Sequence, residues 1–499
     1  MKTRWIQAVF LPLIFCLGGA GCSDSNNNNV KQTPVATLDD EVRQLISAYE
    51  LTGNPATGRD LPDISDPVAQ LGMKLFFTKS LGGQTDAACV SCHHPVLGGG
   101  DDLSLPIGVD AEIPDLLGPG RLHSSAGFGF DGGPTVPRNA PTTFNMGLWD
   151  QVVFHDGRVE SLGKTVGKNG DDGHGIRTPD TAFGVADEGA KNLTQAQALF
   201  PVTSPEEMRA KFKEGDSNQQ VRDALAARLV GQDIPNTWLE EFQEAFDSDA
   251  AAEDLITFLN ISLAIGFYEN SQVLVDNPWR AYVEGDDAAI GEAAKRGARL
   301  FYTSSDEGGA DCVACHSGDF FTDEQFHVLA APQVGRGKGD GEFSDDDFGR
   351  FRETGTETDR YAFRTPALLN VNATGPWTHA GAYSSLAEVV RHHADPGQAI
   401  YEYDFSLSDL DPGIQGEHAP ENTRFALSQL ESLRDAGESK LPPLDLTQGD
   451  VADLVAFLEA LTDPCVEDRD CIGRWVPDSS DTGPDNLQLN AVGEDGDSL

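Results

Sequence analysis

Two short segments of the 499-residue chain carry the residues best suited to chemistry: Cys89-Val90-Ser91-Cys92-His93 and Cys312-Val313-Ala314-Cys315-His316. Each sets two thiols three residues apart and an imidazole directly after the second. That set forms thioethers to the vinyl groups of a heme and gives its iron one axial nitrogen. A zinc site pairs two CxxC units around one ion and needs no His fixed after each pair. A thioredoxin-like CxxC does not repeat with His at the same offset. Of the six cysteines beyond the first 25 residues, four lie in these boxes. The pattern implies two covalently bound c-type hemes and therefore a redox protein. Cys89, Cys92 and His93 hold the first heme, and Cys312, Cys315 and His316 the second.

The elements around the boxes repeat. Leu71-Gly72-Met73-Lys74-Leu75-Phe76-Phe77 precedes the first box as Arg296-Gly297-Ala298-Arg299-Leu300-Phe301-Tyr302 precedes the second. Both segments have helical apolar spacing, with Gly five residues before the last aromatic. A Gly inside a helix costs about 1 kcal/mol, which a close crossing by another helix repays. The expected crossing partners are residues 254–267 and 451–461, both apolar at helical intervals. Downstream, Arg138-Asn139-Ala140-Pro141…His155-x-Gly157…Ser161-Leu162 parallels Arg364-Thr365-Pro366…His379-x-Gly381…Ser385-Leu386. The spacing predicts a mainly α fold with long loops and two cytochrome c-like heme domains in tandem, over 37–275 and 276–463.

Lys2 and Arg4 precede an apolar run, Trp5 to Leu17, then small residues and Cys22. This reads as an export signal over 1–22 followed by a polar linker over 23–36. The small residues before Cys22 resemble a bacterial lipoprotein signal, with Gly19 where Leu is usual. Plain cleavage without a lipid is the alternative. Either route leads to the periplasm or an outer membrane-associated position. The net charge of −46 argues against nucleic acid and anionic lipid, and favours basic partners or a solvated acidic surface. In an oxidising compartment Cys465 and Cys471 are expected to pair. Residues 464–499 form an acidic tail, of which Asp478–Leu499, like the run Asp345-Asp346-Asp347, reads as disordered or loop. No function is assigned to the insertion 163–199.

The motifs together resemble the bacterial di-heme cytochrome c peroxidase family, including its MauG-type branch, over roughly residues 60–465. The specific matches are Pro137-Arg138-Asn139-Ala140-Pro141-Thr142, Phe154-x-Asp156-Gly157-Arg158, Pro201-x-x-x-Pro205-x-Glu207-Met208 and Tyr361–Leu386. The resemblance implies that the first heme reduces hydrogen peroxide with electrons relayed by the second. A small cytochrome c or cupredoxin would be the donor, and a homodimer is common in the family. Glu207, six residues after Pro201, takes the acid–base role. An ordinary first-turn helix Glu is the alternative. His393 falls fourteen residues after His379, where the family carries a distal Met. Leu386, Val389, Val390 and His393 share a helical face. His316 and His393 are therefore the expected ligands of the second iron, with His392 as rival. A His in place of Met lowers that heme's potential.

Other positions depart from the family or extend it. The distal His that typical peroxidases carry before Arg-Asn-Ala-Pro-Thr has no counterpart around Phe128–Asp131, leaving the first heme open. His123 and His174 are the nearby alternatives. His94 is read as a loop or propionate contact, and Asn169 is excluded as a ligand. The resemblance also implies calcium held by Asn139 and by carbonyls of Thr374 and Pro376, although Asn139 can equally cap a turn. His155 stands where the family has its inter-heme Trp, and Trp149 and Trp377 are the candidate substitutes. Two further readings remain open: a MauG-type enzyme that oxidises a protein side chain, and an electron carrier without turnover.

Overall fold

Asp66 accepts a hydrogen bond from the Val68 amide at 2.8 Å and Pro67 opens the first turn, so the apolar run that follows forms a helix over Pro67–Phe77. In the second half the matching helix is Glu292–Tyr302. In this computed structural model, which describes residues 36–499, each is crossed by one partner helix, Phe258–Asn270 and Gln448–Glu459 respectively. The first partner starts later than the expected 254 because Thr257 caps it, accepting from the Asn260 amide at 3.2 Å. Residues 252–255 form a separate turn before that cap.

The glycines account for the crossings. A Cβ on Gly72 would stand 1.9 Å from the Ala264 carbonyl oxygen, and one on Gly297 would stand 1.9 Å from that of Asp453. Two helix backbones touch at each point, and no larger residue fits.

Leu38–Leu499 is one compact unit with two main apolar cores. Phe76, Ile261 and Tyr268 lie in the first core, and Trp279, Phe301 and Phe457 in the second. Helix Leu38–Ala48 precedes the first box in sequence but buries Val42 and Ile46 in the second core. The chain is mainly helical, as expected. Its strands form one antiparallel three-stranded sheet, of Val152–Val153, Val159–Ser161 and Ile176–Arg177, and one pair, Phe326–Val328 with Ala362–Arg364.

Two stretches expected to be disordered or loop are loops, but ordered ones. The tail Asp478–Leu499 returns to the first core. The Leu489 amide donates to the Phe77 carbonyl at 2.8 Å, the Trp238 indole N–H donates to Asp485 at 2.7 Å, and Trp475 and Leu489 are buried. Apolar side chains spaced through the acidic sequence drive this return. Asp346 and Asp347 are likewise buried rather than exposed in a charged loop, because Tyr361 and Arg138 give them partners. Cys465 and Cys471 are disulfide-bonded, as expected. The expected signal, Cys22 and nearly all of the linker lie outside the described residues. Among the described residues, no helix is long and apolar enough to cross a membrane.

Candidate heme sites

The two boxes adopt the same local geometry. Cys89–Ser91 and Cys312–Ala314 each form one 3-10 turn, which brings the two thiols to one side and turns the following His inward. His93 Nδ1 lies 3.2 Å from the Gly99 carbonyl, and His316 Nδ1 lies 3.0 Å from that of Phe321. A carbonyl only accepts, so Nδ1 carries the proton and Nε2 keeps the lone pair an iron needs. The carbonyls of Pro141 and Pro366 also reach these imidazoles. The repeated Arg-x-x-Pro and Arg-Thr-Pro segments therefore do one job twice, orienting the proximal His. Burial lowers both imidazoles to about 4, which keeps them neutral.

A cavity opens on the first box. Cys89, Cys92 and His93 form one wall, and Glu207, Arg158 and Trp149 stand in others. These donors fit a heme: two thiols, a neutral imidazole with a free lone pair, and a largely apolar chamber to enclose the ring. Glu207 sits on Pro205–Arg209, a single turn of π type in which the Arg209 and Ala210 amides donate five residues back, to Ser204 and Pro205. It is not the first turn of an ordinary α-helix. Such turns recur at functional sites. Neighbouring loops clamp this one: Gly83 donates to the Met208 carbonyl at 2.7 Å, and a Cβ on Gly108 would meet the Glu207 carbonyl at 2.2 Å. Burial pushes the Glu207 carboxyl above its ordinary value, opposed by Arg158 and Lys338. The Arg158 guanidinium lies 4.0 Å from Glu207 and stacks on Phe154 at 3.7 Å.

In the second half, His393 Nδ1 lies 2.8 Å from the Val389 carbonyl and so donates to it, leaving Nε2 with its lone pair. A charge on His393 would be felt at His316, where it acts after burial to lower the imidazole's pKa. His392 has no such freedom. Its Nε2 donates to the Leu329 carbonyl at 2.9 Å, and its Nδ1 accepts from the Tyr383 hydroxyl at 2.8 Å. The Leu386–Ala394 helix thus presents one free imidazole nitrogen and one committed ring.

The remaining histidines separate clearly. His123 is not in the cavity wall; its ring stacks on Phe130 and its Nδ1 donates to the Ser124 carbonyl. His174 is exposed beside Asp172. His94 is buried and its Nδ1 accepts from the Val96 amide, a loop contact. His155 lines the cavity and lies 3.0 Å from the Asn139 carbonyl through Nε2. The Asn139 amide donates to the Leu103 and Ser104 carbonyls at 3.0 and 3.3 Å. Thr374 and Pro376 flank Gly375 on the loop before His379.

Trp149 meets Phe320 edge to face at 5.1 Å, and Phe320 packs against both cores. Arg364 stacks on Trp149 at 3.5 Å. Trp377 lies at the second core with its indole N–H donating to Val371. The insertion supports this wall. Asp150, paired to Arg59, accepts from the amides of Gly167, Lys168 and Asn169, and the Asn169 side chain donates to the Met146 and Trp149 carbonyls.

Sequence reading left two ionisable wall residues, Glu269 and Lys338, unnamed and quoted Arg364 only as part of the repeat. Glu269 is an acid on the apolar face of a helix, a signal visible in its spacing. Burial raises its carboxyl to about 8. Lys338 and Arg364 come from the second half, and no local signal ties them to the first box.

Two copies of a thiol–thiol–imidazole site define the class, a c-type protein with two heme sites. Comparison with known proteins shows what the chain resembles. A family model described as di-haem cytochrome c peroxidase matches residues 66–288. The methylamine utilization protein MauG of Methylorubrum extorquens is 26% identical over 409 residues, 81% of this chain and 87% of that protein. The cytochrome c551 peroxidase of Pseudomonas aeruginosa is 27% identical over 72% of this chain and 80% of its own. The crystal structure of a MauG-like protein associated with microbial copper homeostasis superposes with a TM-score of 0.53 at 21% identity, covering 83% of this chain and 97% of that one, a likeness of fold. The chain is similar to di-haem cytochrome c peroxidases and MauG proteins, at modest identity.

Proposed function

We propose that the protein is an exported di-heme c-type peroxidase that reduces hydrogen peroxide to water. The observation that carries this is the shared cavity in which Glu207 stands with Cys89, Cys92 and His93. The bound heme would supply an iron that takes peroxide and exchanges electrons. The residues do the rest. His93 Nε2 ligates, with its ring held by Gly99 and Pro141. The Glu207 carboxylate would accept a proton from one peroxide oxygen and return it to the other, which leaves as water. Arg158 fixes the carboxylate's position. His316 and His393 ligate the second heme, the Trp149–Phe320 contact connects the two cores, and a small basic cytochrome c or cupredoxin delivers electrons. Calcium at Asn139, Thr374 and Pro376, a homodimer and a lipid on Cys22 belong to the same reading.

The relatives bear both peroxidase and MauG names, so oxidation of a protein side chain is the second reading. Electron paramagnetic resonance of the resting oxidised protein tests the core claim. One high-spin and one low-spin iron are expected. Two low-spin irons would remove the open site and favour the non-catalytic carrier. Steady turnover of peroxide with a reduced cytochrome then separates the first reading from the second.

A further inference from the structure

The loop from Gly335 to Asp347 belongs to the second half of the chain, yet it closes on the first cavity. Arg138 holds it there: its guanidinium donates to Asp347 at 2.6 and 2.8 Å and to Asp156 of the first half at 2.6 Å. The Tyr361 hydroxyl donates to Asp346 at 2.7 Å, and the Lys338 amide donates to the Asp346 carbonyl at 2.8 Å. Gly335, Gly337, Gly339 and Gly341 all have φ between 56° and 84°, a left-handed path that lets the loop coil tightly around Lys338. The Lys338 side chain enters the cavity wall, and its charge acts on Glu207 from the opposite half to Arg158.

We infer that Lys338 is a positioning residue for peroxide chemistry, a cation lent by the second half that works with Arg158 to hold Glu207 as a carboxylate. This rests on the acid–base role proposed for Glu207. A buried carboxyl next to a heme drifts toward its neutral form, and a neutral acid cannot take the first proton from peroxide. Arg158 alone is partly spent on Asp156, at 3.4 Å. Lys338 has no ion pair among the described residues; burial and the Arg138 and Arg158 charges lower its pKa, opposed by Asp347 and Asp156. The other charges around Glu207 are its neighbour Glu206 and, in the cavity wall, Arg138 and Arg364. Besides Cys89, Cys92 and His93 of the box, the wall holds His155 and Glu269, the first lowered to about 3 and the second raised to about 8 by burial, so both are neutral near pH 7. Lys338 is thus the second cation that Glu207 senses.

The test uses the di-heme holoprotein mixed rapidly with hydrogen peroxide, following the Soret change across pH. The parent should lose rate on the acid side as Glu207 takes up a proton. In Lys338→Met this acid limb should move up by roughly one pH unit, while Lys338→Arg keeps it in place. Lys338→Gln gives the same reading if the Met variant lacks its hemes. In Glu207→Gln the limb should vanish, and adding Lys338→Met should change nothing further. A limb unmoved in Lys338→Met with both hemes present overturns the inference and leaves the role of Glu207 intact. A limb and rate retained in Glu207→Gln overturn the acid–base reading itself.

Discussion

At the scale of single residues, the histidines of the two boxes are held alike, while the residues proposed to face the two irons differ. Glu207 and His393 carry that difference. Glu207→Gln keeps the size of the side chain and removes the exchangeable proton, so peroxide turnover should fall by about 100-fold or more with both hemes retained. Steady-state kinetics beside the Soret spectrum checks this. His393→Met should raise the midpoint potential of the second heme and leave the first unchanged, because thioether ligation favours the reduced iron. A redox titration that moved the first heme instead would reassign the ligand. The His392 ring was a close rival by sequence, since adjacent positions differ by only about 100° around a helix. Its hydrogen bonds to Leu329 and Tyr383 exclude it, and those partners lie 63 and 9 residues away.

At the scale of elements, the crossed helices set the depth of each pocket. Their contact is backbone on backbone at Gly72 and Gly297, so there is no flexible side chain to yield. Gly72→Ala and Gly297→Ala should each destabilise by roughly 1–3 kcal/mol, with the crossing forced apart. The urea midpoint of the holoprotein measures this, and a midpoint shift near zero would mean the helices slide without cost. The crossings were legible because a Gly that recurs at the same place in two apolar helical segments marks a point of close backbone approach. The π-type turn carrying Glu207 was not legible. Its shape depends on clamping by Gly83 and Gly108, which sit in loops distant in sequence.

At the scale of the molecule, the halves are joined by buried charge. Arg138 bridges Asp156 and Asp347, all three nearly inaccessible to water. Burial alone would raise both carboxyls, but Arg138 overrides it and holds them far below the ordinary range. Their folded pKa values lie below the unfolded value of about 4, so the stabilisation is complete above that pH. It is lost as pH falls further through the folded values. Urea unfolding as a function of pH should show stability dropping in that acid window. Arg138→Met should cost about 3–5 kcal/mol near neutral pH by leaving Asp347 buried without its cation and Asp156 with Arg158 alone, and the loss of stability in the acid window should shrink or reverse, because burial then raises both carboxyls. The tail adds a second tie. Truncation before Asp478 should lower the thermal midpoint by uncovering Phe77 and Trp238, which calorimetry of the truncated holoprotein would read.

The sequence by itself determined the chemistry of attachment, the doubling of the site, the helix crossings and the Cys465–Cys471 pair. Each is written in residues close together in the chain or repeated at a fixed spacing, so local geometry is enough to decode it. Tertiary structure alone decided which imidazole keeps a free nitrogen, and how the insertion braces Trp149. It also brought the acidic tail back to the core and sent Lys338 and Arg364 from the second half into the first cavity. Those outcomes depend on partners tens to hundreds of residues away, where hydrogen bonds and buried charge are settled by packing.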